Sequence, residues 1–289
     1  MTKMPIAEKL EHLFVCPHDF LDLTTNEDAF VCSKCGRKYP IESGIIHFVT
    51  SEEERPQNPK TLAKLYAEEL PERLDVPYYQ QQRARKEEIY MTNAAVKEAV
   101  DFVVANTGLG VDLATGQGGG YIGPIVKRLP KGATLFASDA CLPVIENWSQ
   151  CLQSEYADRF AFLDIDLNGN LCFPDNSIDV FSGVAIANVN DGNPTGLLQE
   201  VYRCLKPYGW AIFQEMFFAP ESETTILLSQ EDDLYASVSV FSERTLAIGL
   251  HVTRTQQAEI GIGKINPGDG MPINDSDHWS QLILYLQKK

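Results

Sequence analysis

From residue 110 to residue 217 the chain alternates short runs rich in β-branched and aromatic residues with stretches of helical period, and no other feature limits its fold as tightly. "GVDLA", "ATLFASD", "RFAFLDID", "DVFSGVAIANV" and "GWAIFQEMF" read as strands, and "CLPVIENWSQCLQSEY" and "PTGLLQEVYRCLK" between them read as helices. Strand and helix in succession give right-handed crossovers and a parallel sheet covered by helices on both faces, so the expected fold is doubly wound α/β. With 289 residues, 44% of them hydrophobic, the chain can form one full-sized domain and a small companion.

The ends of the chain depart from this alternation. Residues 1–50 read as short strands and turns, "FVCPHDFLDL", "DAFVCSKCGRKYPI" and "GIIHFV", and the polar, proline-bearing "SEEERPQNPK" after them reads as a linker. Helical periodicity runs from about Lys60 to Leu74 and from about Gln80 to Asn106. The expected organisation is a small β-rich unit over 1–50, a linker and helical cap over 51–92, and the main domain over 93–289. At the far end, "LHVTRTQQAEIGIG" and "HWSQLILYLQKK" are strand-like runs with no helix between them, which predicts a terminal antiparallel hairpin.

Charge and composition narrow the functional classes. A formal net charge of -16 repels polyphosphates and argues against a nucleic-acid partner. The longest apolar runs are shorter than a bilayer span, and "MTKMPIAEKLEHLF" mixes charges among its apolar residues, so no membrane segment or signal peptide is expected and a cytoplasmic location follows. Seven cysteines, an odd number scattered apart from Cys16, Cys32 and Cys35, argue for reduced thiols and, at the cluster, for a metal.

The glycine turn "VDLATGQGGGYIG", residues 111–123, shows where the backbone must approach a ligand, and it admits two readings. Gly118 to Gly123 spell G-x-G-x-x-G with Asp139 about 20 residues on, the pattern of a dinucleotide site, and Tyr202 and Lys206 form a Y-x-x-x-K pair. Against this, Gly118 falls in a turn already under way at Gly116, and Pro207 and Gly209 stop the helix beside Tyr202 and Lys206. The second reading starts at Asp112, an acid on the first strand followed by a turn of small residues.

Four segments in order resemble the class I S-adenosylmethionine-dependent methyltransferases. "VDLATGQGG" is similar to their first motif, with Ala114 where many members carry glycine, and "LFASDAC" to the second strand ending in the ribose-binding acid. "FLDIDLNGNLCFPDNSIDVFSG" resembles the third-strand acid followed by "LPFPDNSFD", and "LLQEVYRCLKPYGWAIFQEMF" resembles "E-x-x-R-x-L-K-P-G-G" and the fifth strand, with Tyr208 for the first glycine. The resemblance covers about residues 93 to 289. It implies a Rossmann-like seven-stranded sheet with the terminal hairpin, S-adenosylmethionine as cofactor, and a cofactor site of Asp112, Ala114, Thr115, Gly116, Gly118, Asp139, Ala140, Asp164, Asp166, Leu167 and Ala185.

Physical chemistry gives these residues separate tasks. The Asp139 carboxylate can accept from both ribose hydroxyls, and Asp164 or Asp166, with Asp166 preferred, can accept from the adenine amino group. Asp112 is suited to hold the cofactor's ammonium directly or through water. Gly116 and Gly118 let the methionine backbone approach, since positive φ costs glycine little.

The cysteine cluster has the spacing of two zinc-ribbon knuckles with one thiolate missing. Cys16, Cys32 and Cys35 supply three ligands, and Asp19, at the usual knuckle position, or His18 beside it supplies the fourth. "FVCSKCGRKYPIESGIIHFV" also resembles the zinc-ribbon-like domain of small activator proteins for RNA and protein methyltransferases, with Ile46 for their last proline. Residues 1–50 nevertheless carry five Lys/Arg against seven Asp/Glu, a poor surface for RNA.

Methyl transfer is an in-line displacement at a carbon already activated by sulfonium, so alignment and desolvation carry much of the rate and no universal base is required. Asn188 and Asn190 after the fourth strand, and Tyr79, are the candidates for orienting an acceptor. Tyr78 and Tyr90 join Tyr79 as residues able to close over the cofactor, and Arg83 and Arg85 are candidates for an acidic substrate. The leading expectation is a methyltransferase acting on a small molecule. An RNA or protein methyltransferase guided by the ribbon and a catalytically silent cofactor-binding module are the alternatives, and the oligomeric state is left open.

Overall fold

The structure, a computed structural model, describes residues 12–26, 28–186, 194–230, 233, 234, 236–263 and 274–289. Among the described residues eleven strands form one sheet: β1 (Leu23–Asn26), β2 (Ala29–Cys32), β3 (Lys38–Glu42), β4 (Ile45–His47), β5 (Leu109–Leu113), β6 (Thr134–Asp139), β7 (Phe160–Asp164), β8 (Ile178–Val184), β9 (Leu205–Phe218), β10 (Leu250–Ile262) and β11 (His278–Lys288). Their order across the sheet is β1-β2-β3-β4-β7-β6-β5-β8-β9-β11-β10. Strands β4 to β9 pair in parallel, and β11 and β10 close one edge antiparallel.

Seven of these strands, β5 to β11, lie within residues 93–289, and the four strands of residues 1–50 extend the same sheet instead of standing apart from it. β1 to β4 form an antiparallel meander whose last strand pairs in parallel with β7, through Ile45↔Phe162, Ile46↔Leu163 and His47↔Asp164. Packing therefore runs across the expected boundary at residue 50. Phe14 stacks 5.4 Å from Phe30 and 5.2 Å from Phe136, so the ribbon-like residues and the main sheet share aromatic contacts. Burying a phenylalanine of this kind contributes about 2–3 kcal/mol, a strong reason for the two parts to stay joined.

Helices cover the two faces unequally. On one face lie α2 (Val76–Thr92), α3 (Ala94–Asn106), α4 (Ile122–Arg128) and α5 (Leu142–Tyr156), which bury Val96, Val100, Ile125, Val144 and Trp148. α1 (Gln57–Glu68) and a 3-10 turn over Pro71–Leu74 lead into α2, and the break between α2 and α3 is set by Asn93, whose side chain accepts from Val96 N at 3.1 Å. On the other face α6 (Pro194–Cys204) and α8 (Val238–Ile248) bury Leu197, Leu198, Val201 and Phe241, while the short α7 (Glu223–Gln230) follows β9. No helix among the described residues is long and apolar enough to cross a membrane.

Candidate active site

Crossovers put β6 on one side of β5 and β8 on the other, so the strand order reverses at β5. In a doubly wound sheet the crevice at such a reversal, beyond the carboxyl ends of the strands, is where ligands bind. The glycine turn leaves β5 at this point.

Hydrogen bonds fix the turn residue by residue. Ala114 takes φ 51° and Gly116 φ 59°, and the Thr115 amide donates to the Ser138 carbonyl at 2.9 Å. The indole nitrogen of Trp148, on α5, donates to the Gly116 carbonyl at 2.9 Å. Gly119 has φ +71°, and a Cβ there would stand 2.2 Å from the Trp148 ring, while one at Gly120 would stand 3.3 Å from Asp112 Oδ1. These two glycines are packed against the protein itself. At Gly118 a Cβ would meet nothing within 4 Å. The turn thus has a closed side at 119–120 and an open side at 118.

This difference predicts the effect of one methyl group. Trp148 is buried and tied down by its bond to Gly116, so Gly119→Ala combines a clash with a left-handed backbone that alanine resists. A loss of about 2–4 kcal/mol is expected, measured by urea denaturation. Stability within about 0.5 kcal/mol of wild type would contradict this account of the turn.

The acids behave differently from one another. Asp112 is buried, with Oδ1 accepting from the Thr115 hydroxyl at 3.1 Å and Oδ2 from the Ser182 hydroxyl at 2.7 Å. Burial pushes its pKa up to about 7, against those two hydrogen bonds and the nearby Lys86. Beside it lies an apolar cavity of about 20 Å³, lined by Val100, Tyr121, Ser182, Ile212 and Gln214 and large enough for one water. Asp139, at the end of β6 and partly exposed, accepts from Gly116 N at 2.7 Å and Cys141 N at 2.8 Å. Burial raises its pKa, while the amides of Cys141, Gly116 and Ala140 lower it.

Asp164, at the end of β7, is turned to a different purpose. Its oxygens accept from Arg55 Nη1 at 2.8 Å and Nη2 at 2.9 Å, and His47 Nδ1 lies 3.1 Å from Oδ2. The carboxylate is fully buried in this cluster, so the reading of Asp164 as an adenine partner gives way to an ion pair. Asp166, two residues on, is partly exposed and accepts from the Asn168 amide and side chain at 2.8 and 3.1 Å, an Asx turn that positions it at the rim. Leu167 is buried beside it, Ala140 is buried after Asp139, and Ala185 after β8 adopts φ 55° with its amide bonded to the Gln214 carbonyl at 2.9 Å.

Among the other sequence candidates, Asn188 and Asn190 lie outside the described residues. Tyr79 is fully buried against Trp148, 5.1 Å away and edge-on, with a hydroxyl that has no hydrogen-bond partner among the described residues. Tyr78 stacks on Tyr79, and Tyr90 donates to Asp101 at 2.8 Å beneath the Arg128 guanidinium. Arg83 is spent on Glu155, with bonds of 2.9 and 2.7 Å, and Arg85 is exposed. Tyr202 packs under Gly249 and Lys206 pairs with Asp179 at 2.7 Å, which removes the Y-x-x-x-K pair from the glycine turn. Gln117, within the turn, is covered by the 3-10 turn, its side chain 3.4 Å from Arg73 Nη1.

The cysteine cluster is a second centre. One ligand atom each from Cys16, Asp19, Cys32 and Cys35 lies within 4.8 Å of the others. The Cys16 and Cys35 sulfurs are 3.8 Å apart, and Asp19 Oδ2 is 3.5 Å from Cys32 Sγ and 3.9 Å from Cys16 Sγ. A tetrahedron with zinc–sulfur bonds of about 2.3 Å has edges of about 3.8 Å between sulfurs and about 3.6 Å from sulfur to oxygen, so these spacings suit the ion. Lys34 holds the other Asp19 oxygen at 3.0 Å, leaving Oδ2 to face the thiols. His18 is exposed and outside this group.

Residues 111–213 match the family described as "Methyltransferase domain". This segment is a methyltransferase domain. It spans β5 to β9 and holds the glycine turn and all four of the acids above, and it makes the chain an S-adenosylmethionine-dependent methyltransferase. No curated protein matches the chain in sequence. Among solved structures, the MccD protein is 14% identical, with 68% of this chain and 99% of that one covered at a TM-score of 0.50. A candidate methyltransferase from Bacillus halodurans C-125 is 15% identical, with 65% and 96% covered at 0.49. A chain of the complex between the Haloferax volcanii Trm112 methyltransferase activator and a methyltransferase is 20% identical, with 73% and 93% covered at 0.49. Likeness at these identities speaks to the methyltransferase domain's fold alone.

Sequence reasoning missed Arg55, His47, Ser182, Trp148 and Lys86. Ser182 lies opposite Asp112 in the β5–β8 register, a pairing that exists only once the crossover is made. Arg55 stands in "SEEERPQNPK", whose composition reads as a linker and carries no periodic signal.

Proposed function

We propose that S-adenosylmethionine binds across the glycine turn and that its methyl group goes to a small-molecule acceptor. The observation that carries this reading is the open side of the turn at Gly118, flanked by the partly exposed Asp139 carboxylate at the carboxyl end of the neighbouring strand. Asp139 takes the ribose hydroxyls, Asp166 the adenine amino group, and the backbone of Ala114, Thr115, Gly116 and Gly118 lies along the methionine chain, with Ala140, Leu167 and Ala185 around the adenosine. Asp112 serves the ammonium through the water-sized cavity beside it. The cofactor supplies an electrophilic methyl on sulfonium, and the protein's task is to orient it and to exclude water.

A small acceptor is favoured over RNA by the charge of -16 and by the strand pairing that joins the ribbon-like strands to β7. A module built into the sheet edge has no freedom to swing onto a large partner. Calorimetric titration with S-adenosylmethionine tests the cofactor assignment, and no binding at millimolar cofactor would refute it. The titration has a pH signature. Asp112 is protonated in the folded protein below about pH 7, whereas in the unfolded chain it ionises near 3.8. Its protonated form therefore favours folding at low pH, and that contribution is lost as pH rises through about 7. Ionised Asp112 attracts the ammonium, so affinity is expected to tighten several-fold from about pH 5.5 to about pH 7.5, and Asp112→Asn is expected to flatten the profile.

Cys16, Asp19, Cys32 and Cys35 are proposed to hold zinc as a structural ion. Its four protein ligands complete the tetrahedron, which leaves no position for chemistry. Protein purified without chelator is expected to carry one zinc per chain, and chelation is expected to lower Tm by about 5–10 °C. Substoichiometric zinc, or a Tm indifferent to chelator, would count against the ligand set.

A further inference from the structure

Lys86 is the cation on α2 that neither the ion pairs nor the proposed cofactor contacts account for. Its neighbours on the helix are settled, Arg83 on Glu155 and Arg85 in solvent. Lys86 is turned inward and half-buried, with Nζ 4.9 Å from the centre of the Tyr121 ring. Among the described residues it forms no ion pair or hydrogen bond. Tyr121 is itself held in place, its hydroxyl donating to Gln214 Oε1 at 2.9 Å while Gln214 Nε2 donates to Gln281 at 2.6 Å. An ammonium that has given up water for a ring face, without a carboxylate, favours an incoming anion.

The charges around it indicate which anion. Burial and Arg85 lower the Lys86 pKa to about 8, while Asp112 and the exposed Glu259 act to raise it. Lys86 and Asp112 thus feel each other's charge across the start of α4 without being bonded. Opposite charges held near one another and apart complement a group that carries both signs on adjacent atoms. An α-amino acid is such a group, its ammonium and carboxylate sharing one carbon. Tyr121 follows the glycine turn directly and lines the cavity beside Asp112, so the Lys86 ammonium on its ring stands near the Asp112 side of the turn.

We propose that Lys86 binds the α-carboxylate at the methionine end of the cofactor, opposite the ammonium served by Asp112. The inference rests on the proposed placement of S-adenosylmethionine at this turn. It adds a specific contact from the helical segment ahead of the methyltransferase domain.

Decarboxylated S-adenosylmethionine, which keeps the sulfonium, ammonium and adenosine, isolates the contact. Calorimetric titrations of both compounds into wild type, Lys86→Gln and Lys86→Arg are the test. Wild type is expected to prefer S-adenosylmethionine by at least about tenfold, Lys86→Gln to bind the two alike, and Lys86→Arg to restore the preference. Because the ammonium has no ion pair or hydrogen bond to lose and only its contact with the Tyr121 ring, Lys86→Gln is expected to keep a Tm close to wild type, which separates the effect from misfolding. A preference that survives in Lys86→Gln overturns the proposal. So does a wild type that binds both compounds equally, and in that case the cofactor site stands and the cation's role falls. A wild type that binds neither defeats the cofactor placement and the Lys86 contact together.

Discussion

Replacing Arg55 with methionine is expected to destabilise the protein by about 3–5 kcal/mol, the range for breaking a buried ion pair by removing one partner. Arg55 is 8% exposed and Asp164 is 0% exposed, so the carboxylate, left with His47 alone, has no route to water. The same guanidinium donates to the Ala140 carbonyl and, through Nε, to Glu52 at 3.0 Å, so its loss also frees the residue that follows Asp139. Arg55→Met combined with Asp164→Leu is expected to recover most of the loss, because replacing both members with apolar groups removes the uncompensated charge. Urea denaturation of the two variants against wild type measures this. A single variant within about 1 kcal/mol of wild type, or a double variant no better than the single, would show that the pair does not anchor the segment carrying Arg55 to the end of β7.

Asp139→Asn is expected to weaken S-adenosylmethionine binding by about 100- to 1,000-fold, with little loss of Tm. Two hydrogen bonds from ribose hydroxyls to a charged acceptor contribute about 3–4 kcal/mol, and each 1.4 kcal/mol is a factor of ten. Stability should respond less because burial already raises the pKa of this carboxylate, and an amide of the same shape removes the buried charge while keeping an oxygen for the Gly116 or Cys141 amide. Calorimetry gives the affinity and thermal unfolding the stability. A change in affinity below about threefold would move the ribose elsewhere.

Much of this molecule is legible in its sequence. Alternation of strand and helix periods gives the doubly wound core, and the two places where a non-glycine residue stands for the family glycine, Ala114 and Tyr208, both adopt positive φ, 51° and 65°. The resemblance therefore located backbone geometry correctly even where the side chain differed. Asp139 and the cysteine cluster could be named from spacing because their partners lie in the same motif or in the paired knuckle. The cluster's fourth member was harder, since Asp19 and His18 differ by one position and only the turn's geometry separates them.

What failed to show did so for a common reason. Asp112 and Ser182 are 70 residues apart, and Asp164 and Arg55 are 109 apart, so neither pairing leaves a local pattern. Asp164 and Asp166 are equivalent in composition and adjacent in register, yet one ends in an ion pair and the other at the rim. The three cations Arg83, Arg85 and Lys86 likewise read alike in "QQQRARKEEIY" and meet three different environments.

Sequence by itself determined the order of elements, the glycine turn after the first strand of the main domain and the chemical kinds of group around it, because hydrophobic period and glycine placement act over a few residues. Tertiary structure decided which acid stays partly exposed and which is taken up in an ion pair. It also decided that the ribbon-like strands join the main sheet, and that Lys86 lies against the Tyr121 ring while Arg83 pairs with Glu155 and Arg85 meets solvent. Those outcomes depend on burial and long-range pairing, which are properties of the packed chain and have no local signature.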